Sequence, residues 1–87
     1  MASVSIPLLF RDMTGGARRA QVEGTDVREV IAGLDRLYPG IAARLCDPQG
    51  LVPTIRVTVD GKIAALGLAT PVGPQSEVCL LPSMGGG

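Results

Sequence analysis

The residues of this chain with chemistry to offer stand at its end, in Leu81-Pro82-Ser83-Met84-Gly85-Gly86-Gly87. Elsewhere the groups that enzymes use are missing or scattered. No histidine occurs among the 87 residues, so the usual general base at neutral pH and the commonest nitrogen ligand for a metal are absent. Cys46 and Cys79 are far apart and form no CxxC pair, too few to build a zinc or iron–sulfur site. They are expected to act as small core hydrophobes. The carboxylates occur singly, and Asp47 and Asp60 fall in turn contexts that account for them. No catalytic residue is expected in the body. What remains is the terminal carboxylate of Gly87. A carboxylate is a poor electrophile until one oxygen becomes a leaving group. Adenylation by ATP does this by forming a mixed anhydride. A sulfur donor can then expel AMP and leave a thiocarboxylate, whose sulfur is a soft nucleophile.

The sequence around this carboxylate suits delivery. Pro82 has no N–H to continue a sheet ladder, so the strand before it is expected to stop at Leu81. Ordering the six residues 82–87 would cost roughly 6–12 kcal/mol, and the three glycines have no side chains to bury in return. Extended, those residues reach roughly 20 Å. The expected organisation is therefore one domain over residues 1–81 and a flexible tail over 82–87. Gly85, Gly86 and Gly87 have no Cβ and can enter a narrow channel in another protein. Leu81, Pro82 and Met84 are candidates for recognition by that partner. For Leu81, plain sheet packing is the competing reading.

The elements that must position this tail follow from periodicity. Val4, Ile6, Leu8 and Phe10 alternate as one face of a first strand, with Pro7 near the end of its pairing. Thr14-Gly15-Gly16 supplies a turn; without a GKS or GKT ending it is no phosphate loop. Residues 18–23 return as a strand with Ala20 and Val22 inward. Thr25 is the expected helix N-cap, with Asp26 in the first turn. Val27, Val30, Ile31, Leu34, Leu37 and Tyr38 then form one helical stripe, ended by Pro39-Gly40. Residues 41–46 fit one further helical turn, closed by Asp47-Pro48-Gln49-Gly50. Residues 54–59 give the strongest strand signal, Asp60-Gly61 a type I′ turn, residues 62–66 its return strand and residues 76–81 the final strand. A hairpin, a crossover helix and a second set of strands predict an α+β fold. It is a β-grasp (ubiquitin-like) mixed sheet of about five strands, with one main helix and a short second one.

Composition narrows the classes. Apolar residues make up 46% and charged residues 18%, with eight basic and eight acidic side chains, so phosphate neutralisation of a nucleic acid is not expected. No uncharged run is long and apolar enough for a membrane span, and the first ten residues have no signal-peptide pattern. Two isolated cysteines point to reduced thiols and a cytoplasmic location.

The ending LLPSMGGG, with SEVCLL before it, resembles the MoaD/ThiS family of ubiquitin-like sulfur carriers, whose members end in a diglycine after a Pro-x-apolar-small segment. Gly86 and Gly87 match the diglycine, Gly85 the small residue and Met84 the apolar one. The segments VSIPLLFRDMTGG, LDRLYPGIAARLCD and GLATPV resemble the cysteine-biosynthesis branch, the CysO type, so the likeness runs through nearly the whole chain. The third glycine departs from the more usual Ala-Gly-Gly ending. The resemblance implies that an E1-like adenylyltransferase/sulfurtransferase uses ATP to activate Gly87 and install sulfur there. A PLP-dependent cysteine synthase would consume that sulfur on an activated serine, and a JAMM-type metallopeptidase would release the product. The chain itself would be no enzyme and bind no cofactor. The same family also holds the small subunit of molybdopterin synthase and carriers for other thio-cofactor or secondary-metabolite pathways. From another class, a ubiquitin-like protein modifier or a β-grasp binding module without terminal chemistry is open. Lys62 is the single lysine, which disfavours chains built on the protein itself.

Overall fold

The computed structural model describes residues 1–83. In chain order its elements are β1 (Ala2–Ser5), β2 (Arg19–Val22), α1 (Val27–Leu37), α2 (Ile41–Leu45), β3 (Cys46–Asp47), β4 (Gly50–Leu51), β5 (Ile55–Val59), β6 (Lys62–Ile63) and β7 (Glu77–Pro82). Short 3-10 turns lie at Leu8–Phe10 and Gly67–Ala69. Five strands form one mixed sheet in the order β2-β1-β7-β5-β6, and β3 pairs with β4 in a separate small hairpin. The first and last strands run parallel, with Ser5 beside Cys79, while β5 runs antiparallel to β7. This is the expected β-grasp fold.

Period decides what is buried. Val4, Ala20, Val22, Val57, Val78 and Leu80 alternate inward from the sheet and meet Val27, Val30, Ile31 and Leu34 of α1 in one aliphatic core. Each Val, Ile or Leu among them contributes roughly 1.5–3 kcal/mol by leaving water. The connection between β2 and α1 approaches the helix closely at Gly24, where an added Cβ would lie 2.8 Å from the backbone nitrogen of Val30. The turn Asp60-Gly61 has φ of 51° and 83°, both positive as a type I′ hairpin requires.

Several expectations need correction. The first strand stops at Ser5, because the chain past Pro7 enters a 3-10 turn that buries Phe10 and leaves Leu8 77% exposed. The N-cap of α1 is Asp26, whose carboxylate accepts the Glu29 N–H at 2.8 Å. Thr25 lies one residue outside, and its N–H and hydroxyl both donate to the Glu29 carboxylate that folds back over the helix start. Leu37, the last residue of α1, is exposed, and Tyr38 packs partly against the core in its stead. The turn expected at residues 47–50 is the tip of the β3–β4 hairpin. The return strand β6 ends at Ile63 rather than at Leu66, and the chain then turns through Gly67–Ala69. At the other end β7 runs one residue past Leu81.

Candidate functional site

The final strand is the base on which any C-terminal chemistry rests. It lies at the centre of the sheet, bonded to β1 on one side and β5 on the other. Alternation along it buries Val78 and Leu80, half-buries Cys79 and exposes Leu81. Pro82 ends the strand opposite Ile55, exposed and without an N–H. Ser83 adds one more tie, its N–H donating to the Thr54 carbonyl at 2.7 Å. Met84, Gly85, Gly86 and Gly87 lie outside the described residues.

Leu81 therefore stands on the sheet face turned away from α1 and is 44% exposed. Arg56 sits directly opposite it in the β5–β7 register, exposed between the buried Ile55 and Val57. One row back, Ile63, Thr58, Cys79 and Ser5 line up across four strands, and Ile63 is exposed as well. At the far end of this face the Arg19 guanidinium bridges the Ser3 hydroxyl at 3.1 Å and the Glu77 carboxylate at 2.8 Å. Leu8 and Leu9 are exposed in the turn that follows β1. Arg56 and Ile63 escape a motif search because neither has chemistry of its own. The alternation of β5 and the Asp60-Gly61 turn were the signals that place both on this face.

The opposite side of the molecule holds a groove of about 580 Å³ between α1, α2, the small hairpin and the second 3-10 turn, lined in part by Arg28, Ile31, Cys46, Leu51 and Leu66. Burial pushes the Cys46 thiol up, against a smaller opposing pull from Arg28, so it is a weaker nucleophile than an ordinary cysteine. Cys46 and Cys79 are both free thiols, and each is half-buried. Among the described residues no group of three or more His, Cys, Asp or Glu side chains could hold a metal ion. The carboxylate of Gly87, on which the expected chemistry rests, lies outside the described residues.

The model of the ThiS family matches residues 8–87. The sulfur carrier protein CysO of Mycobacterium tuberculosis is 33% identical over 90 residues, which span 98% of this chain and 97% of that one. Among solved structures, a chain of the BexX/CysO complex of Amycolatopsis orientalis superposes with a TM-score of 0.92 at 31% identity, covering 100% of both chains. The small archaeal modifier protein SAMP1 of Haloferax volcanii superposes with a TM-score of 0.72 at 27% identity, covering 99% of this chain and 98% of that one.

Proposed function

The chain belongs to the ThiS family, and on that footing we propose that it is a sulfur carrier for cysteine biosynthesis. The Gly87 carboxylate attacks the α-phosphorus of ATP on an E1-like adenylyltransferase, and pyrophosphate leaves. A sulfur donor then attacks the acyl carbon, AMP departs and the thiocarboxylate remains. Gly85 and Gly86 let the tip enter the partner's channel without a Cβ in the way. Leu81, Pro82 and Met84 meet the channel mouth. A PLP-dependent cysteine synthase takes the sulfur onto an activated serine, and a JAMM-type metallopeptidase frees the product from Gly87. The chain is a substrate of these enzymes and binds no cofactor of its own; ATP belongs to the activating partner. The two free thiols fit a reducing compartment, so the cycle is assigned to the cytoplasm.

The observation that carries this reading is the end-to-end likeness to CysO, a protein named as a sulfur carrier, in a chain that itself ends in Gly-Gly. The test is intact mass. Incubated with ATP, an E1-like adenylyltransferase and sulfide, the protein should gain the mass that separates sulfur from oxygen. Deletion of Gly87 should abolish that gain. An unchanged mass, with partner assays indifferent to the deletion, would sink the reading. Offering the thiocarboxylate to a cysteine synthase with activated serine, or to a molybdopterin synthase large subunit with its precursor, separates the two acceptors within the class.

A second reading is favoured by the likeness to SAMP1, a modifier protein by name. An adenylated Gly87 attacked by a lysine amine instead of sulfide gives an amide on another protein. Lys62, exposed in β6, would be the one lysine open to self-attachment. Conjugates larger than the free chain, sensitive to Gly87 deletion, would mark this outcome.

A further inference from the structure

Although its net charge is zero, the molecule is electrically polarised along the strands, and the tail leaves from the positive end. The topology fixes which residues share that end. There β7 finishes opposite the start of β5, β1 gives way to the loop over residues 6–18, and α1 passes into α2. The loop and the helical junction touch: Arg44 lies 4.9 Å over the Phe10 ring and 3.9 Å from Asp12. Five of the eight basic residues gather at this end: Arg11, Arg18, Arg36, Arg44 and Arg56. Only Asp12 and Asp35 oppose them, a net of three positive charges. Asp35 is already engaged, accepting the N–H groups of Gly40 at 3.0 Å and Ala42 at 3.1 Å. Arg18, Arg36, Arg44 and Arg56 are all exposed.

The opposite end carries the compensating charge. It holds the Asp60-Gly61 turn, the start of β7 and the start of α1, joined by bonds such as the Asp60 N–H to the Glu77 carbonyl at 2.8 Å and the Val27 N–H to the Thr70 carbonyl at 3.0 Å. Glu23, Asp26, Glu29, Asp60 and Glu77 lie there. The exposed Lys62 of β6 and Arg28 in the first turn of α1 also belong to this end, and Glu77 is paired with Arg19 at 2.8 Å, so the acidic excess there is carried by Glu23, Asp26, Glu29 and Asp60 against two cations.

We propose that the arginine-bearing end is a docking surface for a protein whose channel mouth is rimmed with acidic side chains, and that Arg18 and Arg56 are its principal contacts. This rests on the sulfur-carrier reading, in which a partner must receive the tail tip first. A dipole of this sense, on a body without net charge, turns the molecule so that the tail leads toward a negative rim. The gain falls on encounter and orientation, and salt weakens it. Leu81 beside Arg56 supplies the apolar contact that such a rim encloses.

The test uses the intact chain and the adenylyltransferase of the mass experiment, with carrier-dependent pyrophosphate exchange as the readout. Arg56→Glu and Arg18→Glu are expected to raise KM by about tenfold each, with kcat unchanged, the signature of a lost rim charge. Lys62→Glu makes the same change of charge at the other end and should leave KM within about twofold. Arg56→Lys should recover most of the unaltered KM, and added salt should raise the KM of the unaltered chain more than that of Arg56→Glu. Equal KM values for Arg56→Glu and Lys62→Glu, with no salt dependence, overturn the docking surface while leaving the carrier reading in place. No exchange from the unaltered chain overturns the carrier reading and the docking surface together. Circular dichroism confirms that each exposed-site variant is folded.

Discussion

Leu81 and Arg56 face each other across the β5–β7 ladder on the sheet surface turned from α1, an apolar side chain and a cation sharing the last paired and exposed row before the chain leaves the body. Leu81→Asp should therefore change stability by no more than about 0.5 kcal/mol while raising KM for adenylation. Denaturant titration beside exchange kinetics checks both. A marked loss of stability with an unaltered KM would return Leu81 to sheet packing.

Asp60 ties the far hairpin to β7. Its carboxylate accepts the Glu77 N–H at 2.9 Å and the Ser76 hydroxyl at 2.7 Å. The backbone bond first, then the hydroxyl, hold its pKa below the ordinary carboxylate value. A depressed value means the stabilisation is complete above the unfolded carboxylate range and disappears as pH falls through the folded value. Asp60→Asn keeps a residue that tolerates the positive φ of this turn, removes the charge and leaves one acceptor oxygen where the carboxylate offers two. Its thermal midpoint should lie below that of the unaltered chain at neutral pH, and the gap should close on acidification. A gap independent of pH would show that the charge contributes nothing.

At Gly24 the approach of the β2–α1 connection to the helix leaves no room for a methyl group beside the Val30 nitrogen. Gly24→Ala must move backbone rather than the end of a flexible side chain, at a cost of about 1–3 kcal/mol. In a domain of this size that lowers Tm by roughly 4–8 °C per kcal/mol. Calorimetry measures it directly, and an unmoved Tm would contradict the close approach.

The start of α1 distinguishes two neighbouring residues. Asp26→Ala removes the cap of the Glu29 N–H and should cost about 0.5–2 kcal/mol. Thr25→Ala loses only an exposed hydroxyl bond to the Glu29 carboxylate and should cost less. Chemical denaturation of the pair ranks them, and the reverse order would make Thr25 the cap.

That last contrast also shows where the sequence was readable. Repeating apolar positions give a strong signal, so the inward Ala20 and Val22 of β2, the stripe from Val27 to Leu34 and the strand over Ile55–Val59 were all legible. Single-residue choices at element ends were not. Thr25 and Asp26 are both good capping types, and only the position of Glu29 relative to each decides between them. Leu8 keeps the alternation of β1 on paper, but Pro7 ends the pairing and the following turn abolishes the period. β3 and β4 have two residues each, too few for any period to exist. The arginine-rich end was not legible, because its members come from separate segments that only the fold assembles.

The central place of β7 has a mechanical consequence. Any pull on the chain beyond β7 would reach this body through one strand, and that strand is laddered on both edges, in parallel to β1 and antiparallel to β5. Traction along its axis loads many hydrogen bonds in shear at once rather than peeling them singly. A body held by that end would therefore resist unravelling from it.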